Sequence, residues 1–391
     1  MSVTAASGFV ASGLSCGIKE TGALDLALVA TADRRAVPAA AVVTANRAKA
    51  APVLITLAHL AATRGHAAAV VLNSGNANAA TGERGRDAAQ ATCAAVAAEV
   101  GCAAEEVLVC STGLIGISLA VDRIVESVPA LAAGLSTDGS VAAEAILTTD
   151  TRVKQAVVAT PSWTIGGMGK GAAMLSPRLT APHATMLAVL ATDAEVDHAT
   201  LASTLAYAVE RSFNTVDVDG ATSTNDTVVL LASGLAGSPS STEEFVAAAT
   251  SVCRDLAEQM VADAEGATKR VRITVAGALS DDHARTAARA VARSQLVQCS
   301  LHGSDPYWGR IVSELGASGA AFDPERVSVA YGGVTVCSRG VAVDHDGAAL
   351  RLHMESEQLQ IEADLGLGSG SATVMTTDLS PAYIAENMRT S

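Results

Sequence analysis

The feature that most constrains this fold is an interior that has to be built almost entirely from small aliphatic side chains. Of the 391 residues, 49% are hydrophobic but only 3% are aromatic, so alanine, valine, leucine and glycine must fill the core. Side chains of this size allow helices and sheets to approach one another closely. A chain of this length and hydrophobicity can bury a large core, in one big domain or in two.

Helix and strand patterns alternate along the chain, which favours an α/β fold. Buried strands are predicted over 67–75 and 105–113, and helices over 82–101, 119–132, 242–264 and 281–294. The helix from residue 242 is the clearest, because Ser241 and Glu244 have capping-box spacing at its start. Ser280 is a suitable N-cap for the last helix.

Strand patterns return after Val271, including a hairpin predicted at Tyr331–Val334 from its two central glycines. The change of pattern predicts two domains, 1–270 and 271–391. No internal repeat, long linker or low-complexity tract interrupts them.

Composition argues against several functional classes. The net charge is −14 and basic residues are not clustered, so a nucleic-acid partner is not expected. No apolar run is long enough for a membrane span, and the first residues do not resemble a signal peptide. The seven cysteines are widely spaced without a CxxC pair, which is typical of reduced thiols in the cytoplasm. We therefore expect a cytoplasmic protein with small-molecule partners.

The sequence lacks the common motifs for binding cofactors and metals. The glycine-rich segment 166–171 lacks P-loop spacing, and the glycines at 366–370 open no helix that could bind a dinucleotide. The histidines are dispersed without metal-ligand spacing, so no metal is expected. The serines and cysteines have no GxSxG context.

One segment, residues 164–195, combines several unusual features. A glycine-rich turn is predicted to present Lys170, a loop with two prolines follows, and Thr185 then begins an apolar segment predicted to be a buried strand. On physical grounds alone, Thr185 is most simply a strand-initial threonine.

The same segment resembles the self-cleavage region of the ornithine acetyltransferase family. It contains Lys170-Gly171-Ala172-Ala173-Met174, then Pro177, Ala184-Thr185-Met186-Leu187 and Thr192-Asp193-Ala194. Further stretches resemble the family in the same order: GFVASGLSCGIKETGALDLALV, VLNSGNANAATG, CSTGLIG, ILTTDTRVK, STNDT, DAEGATKR and HGSDPYWGR. The resemblance extends over nearly the whole chain, so coincidence is a poor explanation.

The resemblance implies an N-terminal-nucleophile-like layered α/β sandwich with a smaller C-terminal α/β domain. It also implies autocatalytic cleavage between Ala184 and Thr185 into an α chain, 1–184, and a β chain, 185–391. By analogy the two chains assemble as α₂β₂ or larger.

The implied chemistry suits a threonine. Cleavage frees the α-amino group of Thr185 beside its hydroxyl, so that one residue supplies both nucleophile and base. The resemblance assigns the oxyanion hole to Thr112 and Gly113, since each tetrahedral intermediate needs hydrogen-bond donors. Acetyl would move from N-acetylornithine through Thr185 to glutamate, in arginine biosynthesis. Acetyl-CoA is a further possible donor, and no other cofactor is implied.

Substrate contacts are also implied by the resemblance. They are Thr148, Lys170, Thr185, Glu265, Asn387 and Ser391. Lys170 could pair with a substrate carboxylate. Glu265 is predicted in the last turn of its helix, where a carboxylate is unfavourable, and binding a substrate amine would explain its position.

The sequence departs from the family pattern at three points. The loop between Pro177 and Ala184 is longer than usual and makes Thr180 a rival nucleophile. Ala173 replaces a usual glycine, and would be strained if the backbone there has positive φ. The C-terminus is shorter, so Ser391 would replace a terminal hydroxyl contact only weakly.

Two alternatives stay open at this point. One is a related self-cleaving aminopeptidase or amidase, in which water accepts the acyl group. The other is an uncleaved homologue that binds small molecules without turnover, a hypothesis motivated by the longer loop.

Overall fold

The computed structural model describes residues 2–178 and 186–388, which form two compact units. The first unit comprises the chain up to Asn214 together with Ala221–Met260. The second comprises Thr215–Gly220 and the residues from Val261 onward. The sequence prediction placed its domain boundary between residues 270 and 271.

The first unit contains ten strands and six α-helices in the described residues. The strands are β1 (Phe9–Leu14), β2 (Leu26–Thr31), β3 (Val37–Val43), β4 (His66–Ala67), β5 (Ala69–Asn76), β6 (Val107–Leu114), β7 (Lys154–Ala159), β8 (Thr164–Lys170), β9 (Leu187–Thr192) and β10 (Thr227–Ala232). The helices are α1 (Ala51–Ala62), α2 (Gly82–Val100), α3 (Val121–Ala133), α4 (Ser140–Ala145), α5 (His198–Glu210) and α6 (Thr242–Ala262).

Two mixed sheets lie face to face in this unit. One has the strand order β1-β2-β5-β6 and the other β4-β3-β10-β9-β8-β7. Their inner faces share one core, to which Val29, Leu72 and Leu108 contribute from the first sheet and Val189 and Val229 from the second. Alternate residues of a strand point to opposite faces, so each sheet also presents an outer apolar face.

Helices cover both outer faces. On the first sheet, Val71 and Val109 pack against Cys93 of α2 and Ile124 of α3. On the second sheet, α5 packs against β3 and α6 against β8. The unit is therefore a four-layer α–β–β–α sandwich.

The close packing on both sides of β8 requires its glycines. A Cβ at Gly166 would lie 2.3 Å from the Ser2 carbonyl oxygen, and one at Gly169 would lie 2.8 Å from Cε of Met260 in α6. Chain segments thus approach both sides of this strand more closely than side chains would allow. The glycine-rich turn predicted before Lys170 is wrong, because these glycines belong to a strand whose last residue is Lys170.

The second unit is built on another mixed sheet, of order β14-β13-β12-β15-β11-β16. Its strands are β11 (Arg270–Ala278), β12 (Ser328–Tyr331), β13 (Val334–Ser338), β14 (Val341–Ala342), β15 (Gln358–Asp364) and β16 (Gly370–Thr377). Its helices are α7 (Asp281–Arg293), α8 (Gln295–His302), α9 (Trp308–Ala317), α10 (Gly347–Glu355) and α11 (Pro381–Asn387). Helix α7 packs on β11 and β16, burying Ala284, Ala288 and Val291 against the sheet.

Local signals in the sequence identified several element ends. Gly101 ends α2 with φ 82°, and the Ser280 hydroxyl caps α7 by accepting from the His283 amide. The predicted hairpin forms with Gly332 and Gly333 at φ 55° and 79°. The prediction of a layered α/β fold is confirmed. In the described part of the chain, none of the helices has the length and apolar character needed to cross a membrane.

Candidate active site

Thr112 and Gly113 lie near the end of β6, next to the paired end of β5. A Cβ at Gly113 would lie 2.3 Å from the carbonyl carbon of Gly75, and Gly113 has φ 131°. Only glycine allows the two strands to approach so closely there. A side chain at position 113 would therefore clash with β5 and displace the Thr112–Gly113 backbone.

The buried side chains of Asn225 and Asn73 hold Ser111, the residue before Thr112. Asn225 donates from Nδ2 to the Ser111 carbonyl at 2.8 Å and to the Ala77 carbonyl at 2.5 Å. The Ser111 hydroxyl in turn donates to Oδ1 of Asn73 at 2.5 Å. Because these groups are buried and hydrogen-bonded, they hold the end of β6 in one conformation.

Lys170, the last residue of β8, directs its ammonium group toward Thr112. Its Nζ donates to Oγ1 of Thr148 at 2.6 Å and to Oγ1 of Thr112 at 3.3 Å. The lysine is only 6% exposed. An ammonium group this buried needs a compensating charge or a bound anion.

Asp150 provides part of that compensation. Its side chain is fully buried, with Oδ1 2.6 Å from the Lys154 ammonium and Oδ2 3.6 Å from that of Lys170. Burial alone would raise the pKa of the Asp150 carboxyl, but the charges of Lys170 and Lys154 and the hydrogen bonds outweigh it and hold that pKa well below its usual range. Asp150 is therefore ionised at neutral pH.

Lys19 adds a third ammonium group to this neighbourhood. Its Nζ donates to the carbonyls of Leu24 at 2.6 Å and Leu147 at 2.7 Å. Burial lowers the pKa of Lys19, and the charge of Lys170 acts in the same direction. The charges of Asp25, Asp150 and Glu144 act on Lys19 in the opposite direction, so this neighbourhood contains buried charges of both signs.

In the second unit, Glu265 and Asn387 are joined directly. Nδ2 of Asn387 donates to Oε2 of Glu265 at 2.8 Å and to the Tyr383 carbonyl at 3.0 Å. Burial raises the pKa of Tyr383 to about 12, and the nearby charges of Asp219 and Glu265 contribute. Helix α6 ends at Ala262, so the predicted position of Glu265 in its last turn is wrong and the helix dipole does not explain this residue.

The structure thus brings Thr112, Gly113, Thr148 and Lys170 together, and pairs Glu265 with Asn387. Ala184, Thr185 and Ser391, together with the rival Thr180, lie outside the described residues. The strain considered at Ala173 is not found, because the positive φ, 48°, belongs to Met174.

Sequence reasoning missed Asp150, Lys154 and Lys19 as parts of this group. All three lie in stretches that carried the family resemblance, TTDTRVK and GIK. That resemblance was the only available signal, because a linear pattern does not show which charged side chains are buried together.

Chemically, the group offers a buried cation beside two hydroxyls and an exposed strand-end glycine. Since the Thr112 hydroxyl accepts from Lys170, its own proton can be donated to a bound oxygen. Such a group suits a small anionic substrate and a developing negative charge. Within residues 2–178 and 186–388, no cluster of three His, Cys, Asp or Glu side chains is arranged to hold a metal ion.

Fold and site together define a layered α/β enzyme that acts on small molecules. The ArgJ family model matches residues 10–390, so the chain belongs to the ArgJ family, as the sequence resemblance predicted. The arginine biosynthesis bifunctional protein ArgJ of Streptomyces avermitilis is 48% identical over 389 residues, 99% of either chain. That of Thermobifida fusca is 46% identical over 388 residues, again 99% of either chain.

Solved structures are also similar in sequence. Ornithine acetyltransferase complexed with ornithine, from Mycobacterium tuberculosis, is 45% identical over 46% of this chain and 96% of its own, with a TM-score of 0.44. The ArgJ protein of Bacillus halodurans is 32% identical over 50% of this chain and 95% of its own, with a TM-score of 0.48.

Proposed function

We propose that this protein is an ornithine acetyltransferase, which moves acetyl from N-acetylornithine to glutamate through Thr185 and so serves arginine biosynthesis. The observation that carries the proposal is the group formed by Lys170, Thr148 and Thr112 in a chain that matches curated ArgJ proteins from end to end. A buried lysine beside hydroxyl donors is suited to an amino-acid substrate that carries a carboxylate.

The first half-reaction forms an acetyl ester. The Thr185 hydroxyl attacks the acetyl carbonyl carbon of N-acetylornithine, and the free α-amino group of Thr185 takes the hydroxyl proton. The oxyanion of the tetrahedral intermediate accepts from the Gly113 amide and the Thr112 hydroxyl. The carbon–nitrogen bond then breaks, the α-amino group returns its proton to the leaving amine, and ornithine departs.

The second half-reaction reverses these steps with a new acceptor. The neutral amine of glutamate attacks the ester carbonyl carbon and loses a proton to the Thr185 amino group. The ester carbon–oxygen bond breaks, the Thr185 amino group returns its proton to the leaving oxygen to regenerate the hydroxyl, and N-acetylglutamate departs. Lys170 binds the substrate carboxylate in both halves, while Glu265 and Asn387 remain predicted contacts for the substrate amine.

Several finer points stay predictions. They are the cleavage between Ala184 and Thr185, the contact made by Ser391, the use of acetyl-CoA as an additional donor, an α₂β₂ or larger assembly, and a cytoplasmic location. The α and β chains produced by cleavage would be each other's partners in that assembly.

The test is ornithine release from N-acetylornithine with and without glutamate, using wild type, Thr185→Ala and Thr112→Val. Wild type should release ornithine continuously only when glutamate is present, and Thr185→Ala should be inactive. Thr112→Val should lower kcat by about 100-fold or more, since it removes one oxyanion donor.

Leu114 provides a matched control on the same strand, since Leu114→Val changes bulk without removing a hydroxyl. Release that proceeds equally well without glutamate would assign the protein to the aminopeptidase or amidase alternative. Amino-acid binding by an uncleaved, inactive chain would instead support the small-molecule binder.

A further inference from the structure

Asp150 joins its own segment, residues 148–154, to the end of β8 through a single buried carboxylate. Oδ1 accepts from the Gly171 amide at 2.7 Å and from the Lys154 ammonium at 2.6 Å, and Oδ2 accepts from the Thr148 amide at 3.2 Å. Oδ2 also lies 3.6 Å from the Lys170 ammonium. A fully buried carboxylate requires such donors to stay ionised, so these segments cannot move independently of it.

The two lysines share Asp150 unequally. The charges of both lysines favour the ionised carboxylate, but only Lys154 also donates it a hydrogen bond, at 2.6 Å, whereas Lys170 lies 3.6 Å away. The short hydrogen bond of the Lys170 ammonium is donated to the neutral hydroxyl of Thr148, at 2.6 Å. The positive charge of Lys170 is therefore only partly balanced, although the hydrogen bond to Thr148 fixes the position of its ammonium group.

Thr148 is linked to Asp150 directly through its amide and indirectly through its hydroxyl. Its amide donates to Asp150, and its hydroxyl accepts from Lys170, which itself lies beside Asp150. Removing the carboxylate would release the Thr148 backbone and the Lys170 ammonium together. The consequence would reach Thr112, since Lys170 also donates to its hydroxyl.

We propose that Asp150 is a positioning residue for acetyl transfer: it aims the Lys170 ammonium and the Thr148 hydroxyl at the substrate carboxylate, while Lys154 holds the Asp150 carboxylate in place by a hydrogen bond. The inference rests on the proposed function, because it assigns Lys170 to that carboxylate. Asp150 touches no substrate in this account and acts through Lys170.

A double-mutant cycle tests the proposal. The proteins are wild type, Asp150→Asn, Lys170→Gln and the double variant, and the measured quantity is kcat/KM for N-acetylornithine with glutamate. Asp150→Asn should lower kcat/KM by about 100-fold in wild type but by less than about threefold in Lys170→Gln, because a group that acts through Lys170 has nothing left to position. Unfolding in urea should still show a loss of stability from Asp150→Asn in Lys170→Gln, because the Lys154 ammonium loses its partner in both backgrounds.

Equal losses of kcat/KM in both backgrounds would overturn the proposal and reduce Asp150 to a structural role. Where turnover of Lys170→Gln is too slow to measure, ornithine affinity by titration calorimetry replaces kcat/KM in all four proteins, with the same expectation. If Asp150→Asn does not fold, Asp150→Glu takes its place, because it keeps every charge and only moves the carboxylate. Wild type without acetyl transfer would contradict the proposed function, whereas additive losses in an active enzyme would contradict only the role of Asp150.

Discussion

At Gly113 the end of β6 has no room for a side chain. The nearest backbone atom of Gly75 would lie 2.3 Å from a Cβ, and the φ of 131° is itself unfavourable for other residues. The requirement for glycine at this position comes from the neighbouring strand, which the sequence pattern does not show. Gly113 lets the end of β6 lie against β5, next to Thr112, whose hydroxyl accepts from the Lys170 ammonium and which we propose as an oxyanion donor.

Asp150 should give the protein an identifiable dependence of stability on pH. Its pKa is below the usual range in the folded protein, so its stabilisation is complete above the unfolded pKa of about 3.9 and is lost as pH falls toward the folded pKa. At neutral pH, Asp150→Asn should lower the free energy of unfolding by about 3–5 kcal/mol, because it leaves buried lysines uncompensated.

This difference is measured by urea unfolding at several pH values, with Thr185→Ala in both proteins so that neither is cleaved. The difference in unfolding free energy between the Thr185→Ala parent and its Asp150→Asn variant should be constant near neutrality and shrink below about pH 4. A difference that stays unchanged in acid would show that Asp150 is not held ionised by its neighbours.

The sequence predicted only those site residues that lie in recognisable motifs and are assigned a role by the family resemblance. Thr112, Thr148 and Lys170 were proposed from short stretches that resemble a family, and the structure brings all three together. Asp150 stands two residues after Thr148 but was not singled out, because its importance comes from being fully buried between lysines. Burial of a charged side chain depends on tertiary packing, which a linear pattern does not specify.

At the scale of elements, β8 shows how the small side chains of this sequence are used. Gly166 faces the backbone of the N-terminal segment, whereas Gly169 faces the end of the Met260 side chain in α6. The two glycines lie in the same strand but differ in whether their neighbour can move. An alanine substitution at each position therefore distinguishes a rigid backbone neighbour from a side chain that can move.

Gly166→Ala should destabilise the protein by about 2–3 kcal/mol, because its Cβ would meet a backbone oxygen that cannot rotate away. Gly169→Ala should cost less than about 1 kcal/mol, since the Met260 methyl group can adopt another rotamer. Thermal unfolding of the two variants beside wild type measures the order. Equal melting temperatures, or the reverse order, would contradict this description of the packing around β8.

Element types were more predictable than their ends. The helix before Gly101 and the one after Ser280 formed as predicted, because a positive-φ glycine and a capping hydroxyl are local signals. The glycines of β8 were mistaken for a turn, since their role is to admit Ser2 and Met260, which are distant in sequence. Glu265 lies beyond the end of α6, where periodic spacing alone did not mark the stop.

For the whole molecule, the predicted cleavage position has a structural consequence. It falls between β8 and β9, which pair along their lengths, and β10 beyond it pairs with β3 before it. The chains 1–184 and 185–391 would therefore share one sheet and one core after the bond is cut. Separating them would require breaking that sheet, so we predict that cleavage would free the Thr185 amine without dissolving the fold.

The most direct measurement of the central claim is the denatured mass of the protein after incubation with N-acetylornithine in the absence of glutamate. We predict two fragments, 1–184 and 185–391, with one acetyl group on the second that disappears when glutamate is added. Fragments that begin at Thr180 would move the nucleophile to that residue. An uncleaved chain that still transfers acetyl, or an acetyl group on fragment 1–184, would contradict the account.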